Sequence, residues 1–242
     1  MEKLNKVLVI PDVHGRTFWK KAVNKYYDEV DKAIFLGDFH DPYEFEGITR
    51  KMSIDNFKEV IEWINEHKEK TVMLIGNHDC QYIFPTFDTK ARYDIGNMRL
   101  LFNLFNSMKD FWKLAYECSI GDKPYMFSHA GLMKSWYELE KGTIGDLTVE
   151  NINKLVETHK GIATLTDLSN YRTWIGGDKT GSIVWSDYRE RYDDVEENFG
   201  DWYQVFGHTR QDEEKPVIEE KWACLDCRLA FIIDEEGIKE AQ

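Results

Sequence analysis

Short apolar runs that lead into acidic, amide or imidazole side chains recur along the chain. Val7-Leu8-Val9-Ile10, Ala33-Ile34-Phe35-Leu36 and Val72-Met73-Leu74-Ile75 each have the length and β-branched content of a buried strand. Between them the apolar spacing turns helical. Phe18, Ala22, Val23 and Tyr26 fall near one face of a helix over residues 16–27, and Ile54, Phe57, Ile61 and Ile64 repeat at three-and-four spacing in a second. Ser53 reads as the N-cap of that second helix, with Asp55 in its first turn. The order β-α-β-α-β predicts right-handed crossovers and a largely parallel sheet covered by helices.

Further along, the pattern predicts a helix over 97–109 and a strand over 112–120. A hairpin turn at Gly121-Asp122-Lys123-Pro124 then returns the chain through Tyr125-Met126-Phe127. Thr148 to Lys160, closed by Gly161, has the cap, periodicity and terminal glycine of one helix. The rest of residues 134–201 is rich in Trp, Tyr, Gly and acids without clear periodicity, and is expected to form substrate-facing loops. Trp202 to Phe206 reads as a strand. Residues 217–220, 222–226 and 228–234 read as an antiparallel meander that closes the domain.

At 242 residues, 42% hydrophobic and 14% aromatic, the chain can bury one sizeable core, so a single catalytic domain over 1–242 is expected. The formal net charge is −13, with acid concentrated near Asp193-Asp194-Val195-Glu196-Glu197 and Asp212-Glu213-Glu214. That balance argues against a broad nucleic-acid or membrane-binding surface, because both partners are polyanions. Four cysteines, at 80, 118, 224 and 227, fit a reducing compartment rather than a disulfide framework. The apolar run Val7 to Ile10 is too short for a signal-peptide core and no run approaches membrane-spanning length, so a cytoplasmic location is the expectation.

The candidate chemistry stands where the apolar runs stop. In parallel sheets ligands gather beyond the carboxyl ends of strands, and Asp12, Asp38 and Asn77 all fall there. Asp12 and His14, two apart on extended chain, can grip one ion together. Asp38 can place a carboxylate between that ion and a second, to which Asn77, His129 and His208 offer an amide oxygen and two imidazoles. This mixed oxygen and nitrogen set without thiolate suits two divalent ions, manganese foremost and iron or zinc as alternatives. Two such ions can share a hydroxide and clamp a phosphoryl group for in-line attack. His78, next to Asn77, is expected to point away from the ions toward a leaving group, with Asp41 orienting it as general acid.

The succession Asp12-Val13-His14-Gly15, Gly37-Asp38-Phe39-His40-Asp41, Gly76-Asn77-His78-Asp79, Ser128-His129-Ala130-Gly131 and Gly207-His208-Thr209 resembles the calcineurin-like metallophosphoesterase superfamily. Within it, the resemblance is nearest to the serine/threonine phosphoprotein phosphatases and their bacterial relatives, including symmetrical diadenosine tetraphosphate hydrolases. It implies an α/β fold of two packed mixed sheets flanked by helices, and a two-metal centre with the ligand roles above. The complete ligand set with the Asp41–His78 pair leads to the expectation of a binuclear-metal phosphoesterase acting on phosphate monoesters, whether a phosphoprotein or a small phosphorylated metabolite. Two departures stand out. The family arginine that follows the last aspartate of the second motif is Pro42 here. Val184-Trp185-Ser186-Asp187 resembles a tryptophan motif ahead of the last metal histidine, so Arg172, Arg189 or Arg191 become candidates for the phosphate-binding arginine. The missing arginine keeps a nucleotide phosphodiesterase or dinucleoside polyphosphate hydrolase in view, and a catalytically inactive scaffold is a third alternative. Arg210 stands where many superfamily members carry an extra histidine ligand.

Other residues have plainer readings. His67 and His159 are expected to be solvated near helix C-termini, and His40 fits either a pocket wall or an exposed loop. Cys224 and Cys227 read as core, and so do Trp136, Tyr137, Trp174 and Trp185, the last four also as loop packing.

Overall fold

The computed structural model describes residues 1–87, 91–193, 199–211 and 213–241; residues 194–198 and Asp212, part of the acidic runs above, lie outside them. The strands are β1 (Glu2–Leu4), β2 (Val7–Ile10), β3 (Lys32–Phe35), β4 (Thr71–Leu74), β5 (Trp112–Lys113), β6 (Ala115–Ile120), β7 (Lys123–Ser128), β8 (Tyr203–Phe206), β9 (Val217–Ile218), β10 (Trp222–Cys224), β11 (Phe231–Asp234) and β12 (Gly237–Glu240). They form two six-stranded sheets, ordered β12-β11-β2-β3-β4-β5 and β1-β6-β7-β8-β10-β9. β2, β3 and β4 run parallel, as do β7 and β8, so their carboxyl ends open in a common direction within each sheet.

Side-chain alternation explains why two sheets stack. Val7, Val9, Ile34, Leu36, Val72 and Leu74 face one way and meet Cys118, Ile120, Phe127 and Val205 of the second sheet in an inter-sheet core. The intervening Leu8, Ile10, Ala33, Phe35 and Met73 face the other way. They pack on Trp19 and Val23 of α1 (Phe18–Tyr26), on Phe57, Val60 and Ile64 of α2 (Arg50–Glu66), and, after the short α3 (Asn77–Ile83), on Leu101 and Phe105 of α4 (Met98–Ser107). The outer face of the second sheet is covered by α5 (Lys134–Ile144) and α6 (Val149–Asn153), which bury Trp136, Tyr137 and Ile152. The result is a helix-sheet-sheet-helix sandwich of two mixed sheets.

Several elements differ from the sequence expectation. The cap of α2 is Thr49, whose hydroxyl accepts the Met52 amide at 3.2 Å; Ser53 is inside the helix and its hydroxyl meets His40. The run 112–120 is two strands in different sheets. The chain steps between them at Leu114, and the Asn153 side-chain oxygen accepts the Leu114 and Ala115 amides at 2.9 and 3.0 Å, which satisfies the step. Residues 148–160 are likewise broken. Thr158 caps a new helix, α7 (His159–Thr164), and Gly161 lies inside it, where a β-carbon would overlap the Leu155 carbonyl oxygen. The C-terminal strands are no single meander: β9 and β10 extend the second sheet, with β10 parallel to β8, while β11 and β12 pair into the first.

Residues 134–201 contribute α5 to α7 and later α8 (Glu190–Asp193), so the stretch is less loop-like than expected. Trp136 and Trp185 are core, whereas Trp174 is exposed. His67 caps the C-terminus of α2 half-buried, stacked on Trp63 at 4.4 Å, and His159 is exposed as expected but opens α7 rather than closing a helix. All four cysteines are buried and unpaired.

Candidate active site

Five strand ends converge. The loop after β2 holds Asp12 and His14, the loop after β3 holds Asp38 and Asp41, α3 begins at Asn77 directly after β4, His129 follows β7 and His208 follows β8. His14, Asp38, Asp41 and His208 all have positive φ, from 44° to 66°. A side chain with a β-carbon is strained there, and these residues occupy it only because surrounding contacts hold the loops in tight turns.

Asp38 is the centre of the cluster. Its Oδ1 accepts the His78 amide at 3.0 Å, and its Oδ2 lies 3.3 Å from His14 Nε2 and 3.5 Å from His129 Nε2. Beyond it, Asn77 Oδ1 lies 3.1 Å from His129 Nε2 and 3.0 Å from His208 Nδ1, and those two ring nitrogens are 3.2 Å apart. His14 Nδ1 and His129 Nδ1 point at the carbonyls of His40 and Leu36, at 2.8 and 2.9 Å. Donating N–H there fixes the tautomer that leaves each Nε2 lone pair directed into the cluster.

This donor set fits divalent metal. Among the described residues two groups of acidic and imidazole side chains could hold an ion: His14, Asp38 and His78, and Asp38, His129 and His208, with the ligand atoms of each group within 4.8 Å of one another. Asp12 is buried; its Oδ1 accepts the His208 amide at 2.9 Å, while its Oδ2 has no partner. Such an orphaned carboxylate oxygen is costly unless a cation meets it. Burial pushes the Asp12 and Asp38 carboxyls above the usual range, well above it for Asp38, and burial holds the His14 and His208 imidazoles well below theirs. Bound cations reverse that penalty. Gly207 lies against Asp12 Oδ2 and Gly76 against Asp38 Oδ1, each with no room for a β-carbon. At Gly76 that carbon would also stand 2.6 Å from His129 Cε1. Gly76→Ala is therefore expected to displace Asp38 and His129 and lower metal affinity by about 10- to 100-fold, measurable by calorimetric titration of manganese; unchanged affinity would argue against this packing.

His78 is buried with its Nδ1 2.9 Å from Asp41 Oδ2. Asp41 also accepts Gln81 Nε2 at 2.6 Å and the Tyr82 hydroxyl at 2.6 Å, so the carboxylate is fixed from three sides. His78 does not turn away from the cluster as expected. Asn77 and His78 open a helix, where neighbours diverge by about 100° rather than the 180° of a strand, and the His78 ring lies 5.1 Å from that of His14. Asp79 accepts the amides of Gly76, Asp38 and Phe39 at 2.8, 2.7 and 3.0 Å, stapling two site loops together, while burial pushes its pKa up to about 7. His40 is neither wall nor exposed loop: it is fully buried between Ser53 Oγ at 2.9 Å and Asp94 Oδ2 at 3.3 Å, holding the loop from behind.

The cluster faces a cavity of about 210 Å³ lined by His14, Asp38, Asn77, His78, Arg92, Arg172 and His208, among others. Arg172 reaches the rim, 3.5 Å from His208 Nε2. Arg189 binds Asp187 through two bonds of 2.8 and 2.7 Å and lines the adjoining cavity instead. Arg191 is turned inward: it donates to Leu132 O and Gln204 Oε1 at 3.3 and 3.0 Å beneath Phe206 and Trp222, and lines neither cavity.

Arg92, missed in the sequence, stands beside Pro42. Its guanidinium donates to the Asp41 carbonyl at 2.9 Å and lies 3.7 Å from the Tyr43 ring centre, an arrangement that aims a cation at the cluster. Nothing in Ala91-Arg92-Tyr93 marks it; only the fold brings it to the second motif. In the tryptophan motif, Trp185 meets the His208 ring at 5.5 Å and Ser186 Oγ donates to Ala130 O at 2.6 Å, so this segment braces two histidine loops.

The sequence profile of calcineurin-like phosphoesterases matches residues 5–216. Among solved structures, a cold-active protein-tyrosine phosphatase of a psychrophilic Shewanella is similar at 13% identity and a TM-score of 0.58, over 100% of this chain and 82% of that one. A protein serine/threonine phosphatase from Saccharomyces cerevisiae is similar at 13% identity and a TM-score of 0.50, over 97% of this chain and 76% of that one. At this identity the likeness concerns the fold. No curated protein matches the sequence.

Proposed function

Because the chain belongs to the calcineurin-like phosphoesterase family and is thus a metal-dependent phosphoesterase, we propose that it hydrolyses phosphate monoesters with two divalent cations, manganese foremost. Asp12, His14 and Asp38 would hold one cation, and Asp38, Asn77, His129 and His208 the other. The single observation that carries this is Asp38 Oδ2, which stands between His14 Nε2 at 3.3 Å and His129 Nε2 at 3.5 Å, where one carboxylate oxygen can serve two sites. When bound, the cations supply Lewis acidity and an activated water.

The chain's own groups do the rest. Arg92 and Arg172 hold peripheral phosphoryl oxygens, as planar guanidiniums suit that geometry. His78, oriented by Asp41, donates its proton to the departing oxygen. Trp185 packs edge-on against the His208 ring at 5.5 Å and holds its orientation. Two arginines at the cavity suit the dianionic terminal phosphate of a monoester, on a phosphoprotein or a small metabolite, better than a diester. We further propose that residues 1–242 act as one catalytic unit in the cytoplasm; no helix among the described residues is long and apolar enough to cross a membrane.

Turnover of p-nitrophenyl phosphate and of bis(p-nitrophenyl) phosphate with manganese tests the reading. The monoester is expected to be strongly preferred; preference for the diester would replace this proposal with a phosphodiesterase. Arg92→Gln should lower kcat/KM on the monoester by about 10- to 100-fold, the worth of a charge-assisted hydrogen bond, with metal content intact. A change below three-fold would remove Arg92 from phosphate binding.

A further inference from the structure

Beside the metal cavity, and sharing Tyr43, Arg172 and His208 with it, lies a second cavity of about 270 Å³. Arg172, Arg189 and Arg210 stand on its wall with Thr209 and Gln211, and among the described residues no carboxylate does. In a chain of net charge −13 this is a local reversal of sign.

The cations here are incompletely matched. Asp187 is committed to Arg189 at 2.7 and 2.8 Å and lies 3.7 Å from Arg172 Nε. Glu46 is committed to Arg16 at 2.7 and 3.0 Å and lies 3.7 Å from Arg210 Nη2, too far for a hydrogen bond. Arg210 Nε, Arg172 Nε and the hydroxyl of the buried Thr209 have no hydrogen-bond partner. The Arg210 guanidinium is nonetheless held in place, 4.8 Å from the Tyr43 ring and 4.9 Å from that of Phe45. The Arg172 and Arg210 guanidiniums, whose nearest carboxylates are each committed to another arginine, stand beside a phosphoryl site, which is what a second phosphoryl group would require.

We infer that this cavity is an anion subsite that takes a second phosphoryl group of the substrate, with Arg210 as its principal ligand. The substrate class narrows accordingly to small molecules carrying two phosphoryl groups, as separate esters or as an anhydride. Arg210 thus acts as a specificity residue at a position where the family pattern often has a metal ligand. The inference rests on the phosphoesterase reading above.

The test measures inhibition of p-nitrophenyl phosphate turnover by inorganic phosphate and by inorganic pyrophosphate at fixed free manganese, in the wild type, Arg210→Gln and Arg210→Lys. Fructose 1,6-bisphosphate, ADP and an acidic phosphoserine peptide are compared as substrates. In the wild type pyrophosphate is expected to inhibit about ten-fold more tightly than phosphate, and that gap should close in Arg210→Gln and partly return in Arg210→Lys. Faster turnover of fructose 1,6-bisphosphate than of ADP assigns separate esters, and the reverse assigns the anhydride. An unchanged gap in a folded Arg210→Gln protein overturns the subsite while leaving the phosphoesterase reading intact. Selective loss of phosphopeptide turnover alone overturns the small-molecule class. No wild-type turnover of p-nitrophenyl phosphate overturns the phosphoesterase reading and the subsite with it.

Discussion

Asp38→Asn is expected to reduce p-nitrophenyl phosphate turnover by at least about 10³-fold, the scale on which a preorganised electrostatic group contributes to a transition state. The replacement is nearly isosteric. Its remaining oxygen can still accept the His78 amide, which Asp38 Oδ1 does at 3.0 Å, so the loop should keep its shape. What disappears is the charged Oδ2 between His14 and His129. An amide NH₂ in its place donates toward nitrogens whose lone pairs are needed for metal. Elemental analysis of the purified variant should show lost metal, and full activity would sink the two-cation proposal.

A stability signature accompanies it. Burial raises the folded-state pKa of Asp38 well above that of an ordinary aspartate. The unfolded chain therefore loses its proton first as pH rises from about 4, and the native state is progressively penalised until its own pKa is passed. Metal-free wild type should accordingly melt at lower temperature as pH increases over that window, with recovery on adding manganese. Asp38→Asn should show a shallower slope; an identical slope would assign the effect to Asp12, Asp79 or Asp226, whose carboxyls burial also raises.

The second large effect is expected at His78→Gln, and it should depend on the leaving group. General acid catalysis contributes about 10²- to 10⁴-fold, and an alkoxide leaving group such as that of phosphoserine needs the proton most. Turnover of phosphoserine should therefore fall by that much, while p-nitrophenyl phosphate, whose phenolate departs unprotonated, should fall far less. Asp41→Asn should reproduce the pattern in milder form, because the remaining amide oxygen can still accept from Gln81 or from Tyr82, though not from both, while the charge that favours the protonated imidazole is gone. Equal losses on both substrates would remove the general-acid role. Loss of metal in the His78 variant would make His78 a ligand beside His14 and Asp38, whose donor atoms it approaches.

Much of this arrangement was legible in order. Val7–Ile10, Ala33–Leu36 and Val72–Ile75 announce buried strands because a strand's environment is written in consecutive residues, and the helical face of Ile54, Phe57, Ile61 and Ile64 is equally local. The site followed because residues just past parallel strand ends must gather in space: Asp12, Asp38 and Asn77 need no distant information beyond the sheet's direction. Legibility failed where a residue's partner lies far along the chain.

By itself, then, the sequence determined the strands, the helical coverage of the first sheet and the five polar loops with their metal-binding side-chain types, since each is a property of a few neighbouring positions. Only the tertiary structure decided that 112–120 divides between two sheets, an outcome fixed by Asn153 reaching back to the amides of Leu114 and Ala115. It also decided that Arg92 stands beside Pro42, that Arg191 turns inward, and that Arg172, Arg189 and Arg210 share one wall. An arginine carries its charge wherever it falls, but which anion it can meet depends on long-range packing that no window of sequence contains.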